Sequence, residues 1–138
     1  MANSNNNDAA VTWSASSTKS LTSNTTREAS DAVSINADAV QASLQVKIDN
    51  SGTPASGDTV DLWISWSPDA SVYDTEEHAQ FLGRLDTYAT NDPGEDPASR
   101  TYTLNVSGKQ SFKLLARGNQ AASRNVTLSA IYNEHRMA

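Results

Sequence analysis

The chain has 138 residues, no cysteine and a formal net charge of −6, with a pI near 4.7. A chain of this length makes one domain with a real core, and the lack of cysteine excludes disulfides, thiolate metal sites and a cysteine nucleophile. Lys and Arg are scattered with no basic stripe, which argues against wrapping nucleic acid, because that requires cations against phosphate.

The leader MANSNNNDAA has neither the charged start nor the apolar run of a secretory signal. No apolar segment is long enough to span a bilayer. A soluble protein without a membrane partner is expected. Residues 1–10, polar and Asn-rich, are expected to form a flexible arm.

Val11, Trp13 and Ala15 alternate with Thr12 and Ser14, predicting a first, half-exposed strand to about Leu21. Asn24–Thr26 marks a turn. A second strand is expected over Arg27–Ile35, with Asp31 interrupting its apolar register. The best-patterned stretch follows. Val40, Ala42, Leu44, Val46 and Ile48 share one face, as do Val60, Leu62, Ile64 and Trp66, with NSGTPASG between them. The pattern predicts two adjacent core strands joined as a hairpin, with Trp66 as the core tryptophan. Trp63 falls on the polar side and needs either a covering layer, such as the Phe81 segment, or a ligand.

The stretch after Trp66 lacks a strand period and reads as a long connection, with a short helix near 75–82 stopped by Gly83 and a loop through NDPGEDPAS. Strands return at Tyr102–Val106, Ser111–Arg117 and Val126–Tyr132. The sum is seven or eight strands: an all-β, single-domain β-sandwich over 11–133, jelly-roll or immunoglobulin-like, with a C-terminal tail at 134–138.

Catalytic signatures are sparse. His78 has Asp74 at an i, i+4 spacing, but no second histidine or cysteine cluster completes a metal site. Asp86, Asp92, Glu95 and Asp96 crowd one loop without EF-hand spacing. No G-x-S-x-G, P-loop or G-x-G-x-x-G occurs. No catalytic residue, metal or cofactor is expected, and the chain reads as a non-enzyme. Trp63 and Tyr88 are candidate platforms for a sugar ring, and Trp13, next to the arm, is a third candidate for an exposed ring.

The run ASLQVKIDNSGTPASGDTVDLWISWSPD, then YDTEEHAQFLGRLDT, then SFKLLARGNQAASRNVTLSAIYNE resembles small virion structural proteins of tailed bacteriophages. It looks most like their capsid decoration, or cement, proteins. The resemblance is one of segment order without a strict diagnostic motif. It implies a β-sandwich on the outer surface of the assembled head, built in the bacterial cytoplasm. Its partner would be the major capsid protein, with dimer or trimer self-association on the lattice as a further option. Val11 and Trp13, with the long connection through Phe81 and Tyr88, are the expected contact segments. A carbohydrate-binding or adhesion module using Trp63 or Tyr88 is the alternative, followed by another virion part such as a tail domain.

Overall fold

The computed structural model describes residues 3–5, 9–21, 26–50, 57–86, 98–120 and 125–137. In chain order its strands are β1 (Asn3–Asn5), β2 (Ala9–Ala10), β3 (Lys19–Leu21), β4 (Glu28–Ala29), β5 (Val33–Ser34) and β6 (Ala39–Asn50). They continue with β7 (Thr59–Ser67), β8 (Gln80–Asp86), β9 (Ala98–Asn105), β10 (Ser111–Gly118) and β11 (Val126–Met137), and one 3-10 turn at Glu76–His78. All pairings are antiparallel. In the first sheet β11 pairs with β6 and β6 with β9, while β1, β2 and β3 line up along the other edge of β11. In the second, β10 pairs with β7 and β7 with β8, while β4 and β5 share the other edge of β10.

Taking β1–β3 and β4–β5 as one broken strand each, successive strand positions change sheet at every step except β7 to β8. This is a jelly-roll β-sandwich. The predicted β6–β7 hairpin is therefore corrected: the two strands stand in opposite sheets. Alternation reveals which face of a strand is apolar, and two such faces are buried equally well across a core or side by side. Alternation in β6 runs as expected from Ala42 to Ile48, but Val40 is 45 % exposed. The β6–β11 register shifts there, with His135 opposite Gln41 and Arg136 opposite Ala39, so Val40 is the extra residue of a bulge.

The core lies between the sheets. Leu44, Val46, Ile48 and Leu128 face Leu62, Ile64, Phe112 and Leu114. Phe112 stacks edge-on against Tyr132 at 5.3 Å and tilts against Trp66 at 5.7 Å. Trp66 sits at the rim and is only half-buried, whereas Trp13 belongs to the core. The core tryptophan is thus Trp13, contrary to expectation.

Both predicted early strands are broken by specific chemistry. Trp13–Ser16 closes a tight reverse turn with Ser14 at φ 49° and Ala15 at φ 67°. The Asp31 carboxylate accepts bonds from the Ser14 and Ala15 amides (3.1 and 2.9 Å) and from Thr12 Oγ1 (2.7 Å). Ser30 replaces one rung of the ladder with its side chain: the Leu114 amide donates to Ser30 Oγ at 2.9 Å. Asp31 is free to turn away from the sheet, which explains its place in an otherwise apolar register.

Two segments differ from expectation at the ends. Asn3–Asn5 and Ala9–Ala10, expected within an arm, pair with β11, and β11 runs through the expected tail to Met137. Glu134, the first residue of that tail, is fully buried and accepts bonds from the Asn36 amide (3.0 Å), Asn36 Nδ2 (2.6 Å) and Tyr132 Oη (3.0 Å). The predicted helix near 75–82 shrinks to the Glu76–His78 turn, because Gln80–Asp86 is a strand. Gly83 lies inside that strand. A Cβ there would stand 2.8 Å from Tyr102 Oη, so glycine permits the close approach of the edge strands β8 and β9.

Candidate functional site

The outer face of the second sheet is unlike an ordinary solvated sheet face. Strand β7 is buried on both sides, from Val60 to Ser65. Its inward residues meet the core, and its outward residues Asp61, Trp63 and Ser65 are covered by long side chains from neighbouring strands and from the 67–78 segment.

Asp61 sits in the register row Arg117–Asp61–Arg84 across β10, β7 and β8. Arg84 forks onto its carboxylate through Nε (2.6 Å) and Nη2 (3.0 Å). Arg117 Nη2 and Asn119 Nδ2 each add a bond at 3.0 Å. The Arg84 guanidinium above all, joined by Asn119 and Arg117, outweighs burial and holds the Asp61 carboxyl at about 2. Two guanidiniums thus share one carboxylate, and the Arg84 side chain is 58 % exposed.

One step along β7, Trp63 is 7 % exposed. The Arg27 guanidinium lies 3.9 Å from its ring centroid, Arg117 lies 5.3 Å away, and Phe81 meets it edge-on at 5.7 Å. Arg27 also ties this stack to the 3-10 turn, donating from Nη1 to the Glu76 carbonyl and pairing with its carboxylate at 3.7 Å. Further along the same face, Lys113 covers Tyr73 at 4.6 Å, while Lys109 covers Trp66 at 4.8 Å at the rim of the core. The outer face thus carries a cation–aromatic layer. Phe81 crowns it, 55 % exposed on a β-strand. An open depression of about 710 Å³ adjoins it, lined by Arg27, Thr75, Glu76, Glu77 and His78.

The five expected contact residues separate sharply. Phe81 is on the surface, and Trp63 lies directly beneath the layer. Val11 and Trp13 are buried in the core and offer no contact surface, because the Trp13–Ser16 turn folds them inward. Tyr88 lies outside the described residues, as do Asp92, Glu95 and Asp96. Trp63 as an open sugar platform is likewise corrected, since Arg27 occupies its face. Asp74 does not pair with His78: its carboxylate accepts from the Trp66 amide, and His78 Nδ1 meets Thr75 Oγ1 at 2.9 Å. Among the described residues no group of three or more His, Asp or Glu converges on a metal position.

Sequence reasoning missed Arg27, Arg84 and Arg117. As a list of positions they look scattered. Cross-strand pairing is what assembles them, and that register is not written in any local pattern.

No family model matches the chain, and no curated protein matches it. Solved structures do. The chain is similar to the CBM36-1 domain of a multidomain xylanase from the hindgut metagenome of Trinervitermes trinervoides, with a TM-score of 0.54 and 10% identity over 92% of this chain and 96% of that one. It is also similar to a chain of the acidic stable capsid structure of Helicobacter pylori bacteriophage KHP30, with a TM-score of 0.51 and 10% identity over 96% of this chain and 91% of that one. At such identity the likeness is one of fold. A jelly-roll β-sandwich is the common element, found both in a phage capsid and in a carbohydrate-binding module.

Proposed function

We propose that this chain is a non-enzymatic capsid decoration protein, which binds the outer surface of an assembled phage head and stabilises it by bridging subunits of the major capsid protein. The observation that carries the proposal is the outer face of the second sheet. An exposed phenylalanine stands on rigid strands beside arginines that already hold their geometry. Aromatic and arginine anchors of this kind dominate protein–protein interfaces. Pre-organisation by Asp61 and Trp63 lowers the ordering cost of docking. The capsid partner would offer an apolar socket for Phe81 and carboxylates for Arg84.

The likeness to a phage capsid chain of nearly equal length supports this reading. Stabilisation would follow from mass action, since a ligand that binds only the assembled lattice shifts the equilibrium away from disassembly. Heads prepared without the protein should melt at a lower temperature and regain the difference when it is added. Equal melting with and without the protein would refute the proposal.

A second reading, a carbohydrate-binding or adhesion module, is favoured by the likeness to the CBM36-1 domain. In that case the sugar would bind elsewhere than on the Trp63 ring, which Arg27 covers.

A further inference from the structure

The outer face of the first sheet has the opposite chemistry. Across β11, β6 and β9, Ile131, Gln45 and Thr101 form one register row, and Asn133, Ser43 and Thr103 form the next row of that face. None of these six side chains is charged, although 19% of the chain is. The first charged neighbour, Lys47, stands one row away, between Ser129 and Ser99.

The two rows are not flat. Ser43, Gln45, Thr101, Ile131 and Asn133 line a depression of about 200 Å³. Asn133, one of the lining residues, has its Oδ1 buried without a hydrogen-bond partner among the described residues. A buried, unpaired acceptor is costly. An amide swings readily about χ2, so Asn133 can offer either its oxygen or its nitrogen to a hydroxyl seated in the depression it lines.

We infer that this depression binds a neutral saccharide, one ring at a time. Its lining has the required chemistry. Amides and hydroxyls both donate and accept, as a sugar's hydroxyls do, and Ile131, exposed beside them, offers an apolar contact for the C–H face of a ring. With no charge within the two rows, an anionic sugar gains nothing over a neutral one. The volume is below that of a pocket for drug-sized ligands, which limits the site to a short contact. It lies on the face opposite Phe81 and Arg84, so it is independent of capsid binding and would remain open on a decorated head.

The test is titration of the isotopically labelled full chain with xylotetraose, cellotetraose, galactotetraose and mannotetraose, with sialyllactose as the anionic comparison, followed by amide chemical shifts. At least one neutral sugar should give saturable shifts centred on residues 43, 45, 101, 131 and 133, with a dissociation constant on the order of 1 mM. Gln45→Ala and Thr101→Val, both at exposed positions, should each weaken binding by about fivefold while the rest of the spectrum is unchanged. Asn133→Ala should do the same. The inference is overturned if none of the neutral sugars gives a saturable shift, if sialyllactose binds as well or better, or if the shifts centre on Trp63 and Phe81.

Discussion

Asp61 is a buried charge made tolerable by its surroundings. Burial alone would raise its pKa, yet the fork from Arg84 and the bonds from Asn119 and Arg117 bring it to about 2, below its ordinary value of 3.8. A depressed carboxylate adds stability above its unfolded pKa and loses it as pH falls through the folded one. The shift corresponds to about 2 kcal/mol. Asp61→Asn should therefore lower unfolding free energy by about that amount at pH 7. The gap to wild type should narrow as pH falls through 3.8 and close only below about pH 2, as followed by urea denaturation across pH. The Ser14–Ala15 turn makes a different prediction. Ala15 holds a left-handed conformation at φ 67°, which costs a side-chain-bearing residue roughly 1 kcal/mol relative to glycine. Ala15→Gly should raise stability by about that much in the same assay. Asp31→Ala should instead free the turn, seen as faster exchange of the Ser14 and Ala15 amides that it accepts.

Among the elements, β11 does the most to organise the sandwich. It pairs with β6 from Val126 to Arg136 and carries β1, β2 and β3 on its other edge. Its last third is held by Glu134, whose carboxylate secures Asn36. Removing it in Glu134→Ala leaves the Tyr132 hydroxyl buried and unpaired and releases Asn36, an exposed residue, from its anchor, a loss of about 2 kcal/mol by denaturation. How much of this was legible depends on the element. The alternation in β6, β7, β10 and the first half of β11 is nearly complete, so the strands and most of the core could be read directly. Strand β8 could not, because Phe81 points outward, Leu82 falls at a register shift and Gly83 has no side chain. The end of β11 reads as polar because its buried anchor is a glutamate. Sheet membership was hidden too, since one apolar face per strand fits either a hairpin or two facing sheets.

At the scale of the whole molecule, the two sheets present different outer faces. One carries two uncharged rows around a shallow depression; the other is an arginine–aromatic layer with Phe81 at its crest. Trp63 announced that second face in the sequence, by being large and apolar in a polar register. Its arginines did not, since only the Arg117–Asp61–Arg84 register row brings them together. If, as proposed, this layer meets a capsid, folding and binding should be separable at Phe81. Phe81 is largely exposed, so replacing it should leave the fold intact, whereas Trp63→Ala should weaken both. Arg84, which forks onto buried Asp61, is tied to stability as well. The deciding measurement for the proposed role is co-sedimentation with phage heads assembled without the protein. Wild type should pellet with the heads to a fixed stoichiometry, and Phe81→Asp should stay in the supernatant with an unchanged circular dichroism spectrum. If wild type fails to pellet, or Phe81→Asp pellets as well as wild type does, the layer is not a capsid-binding face.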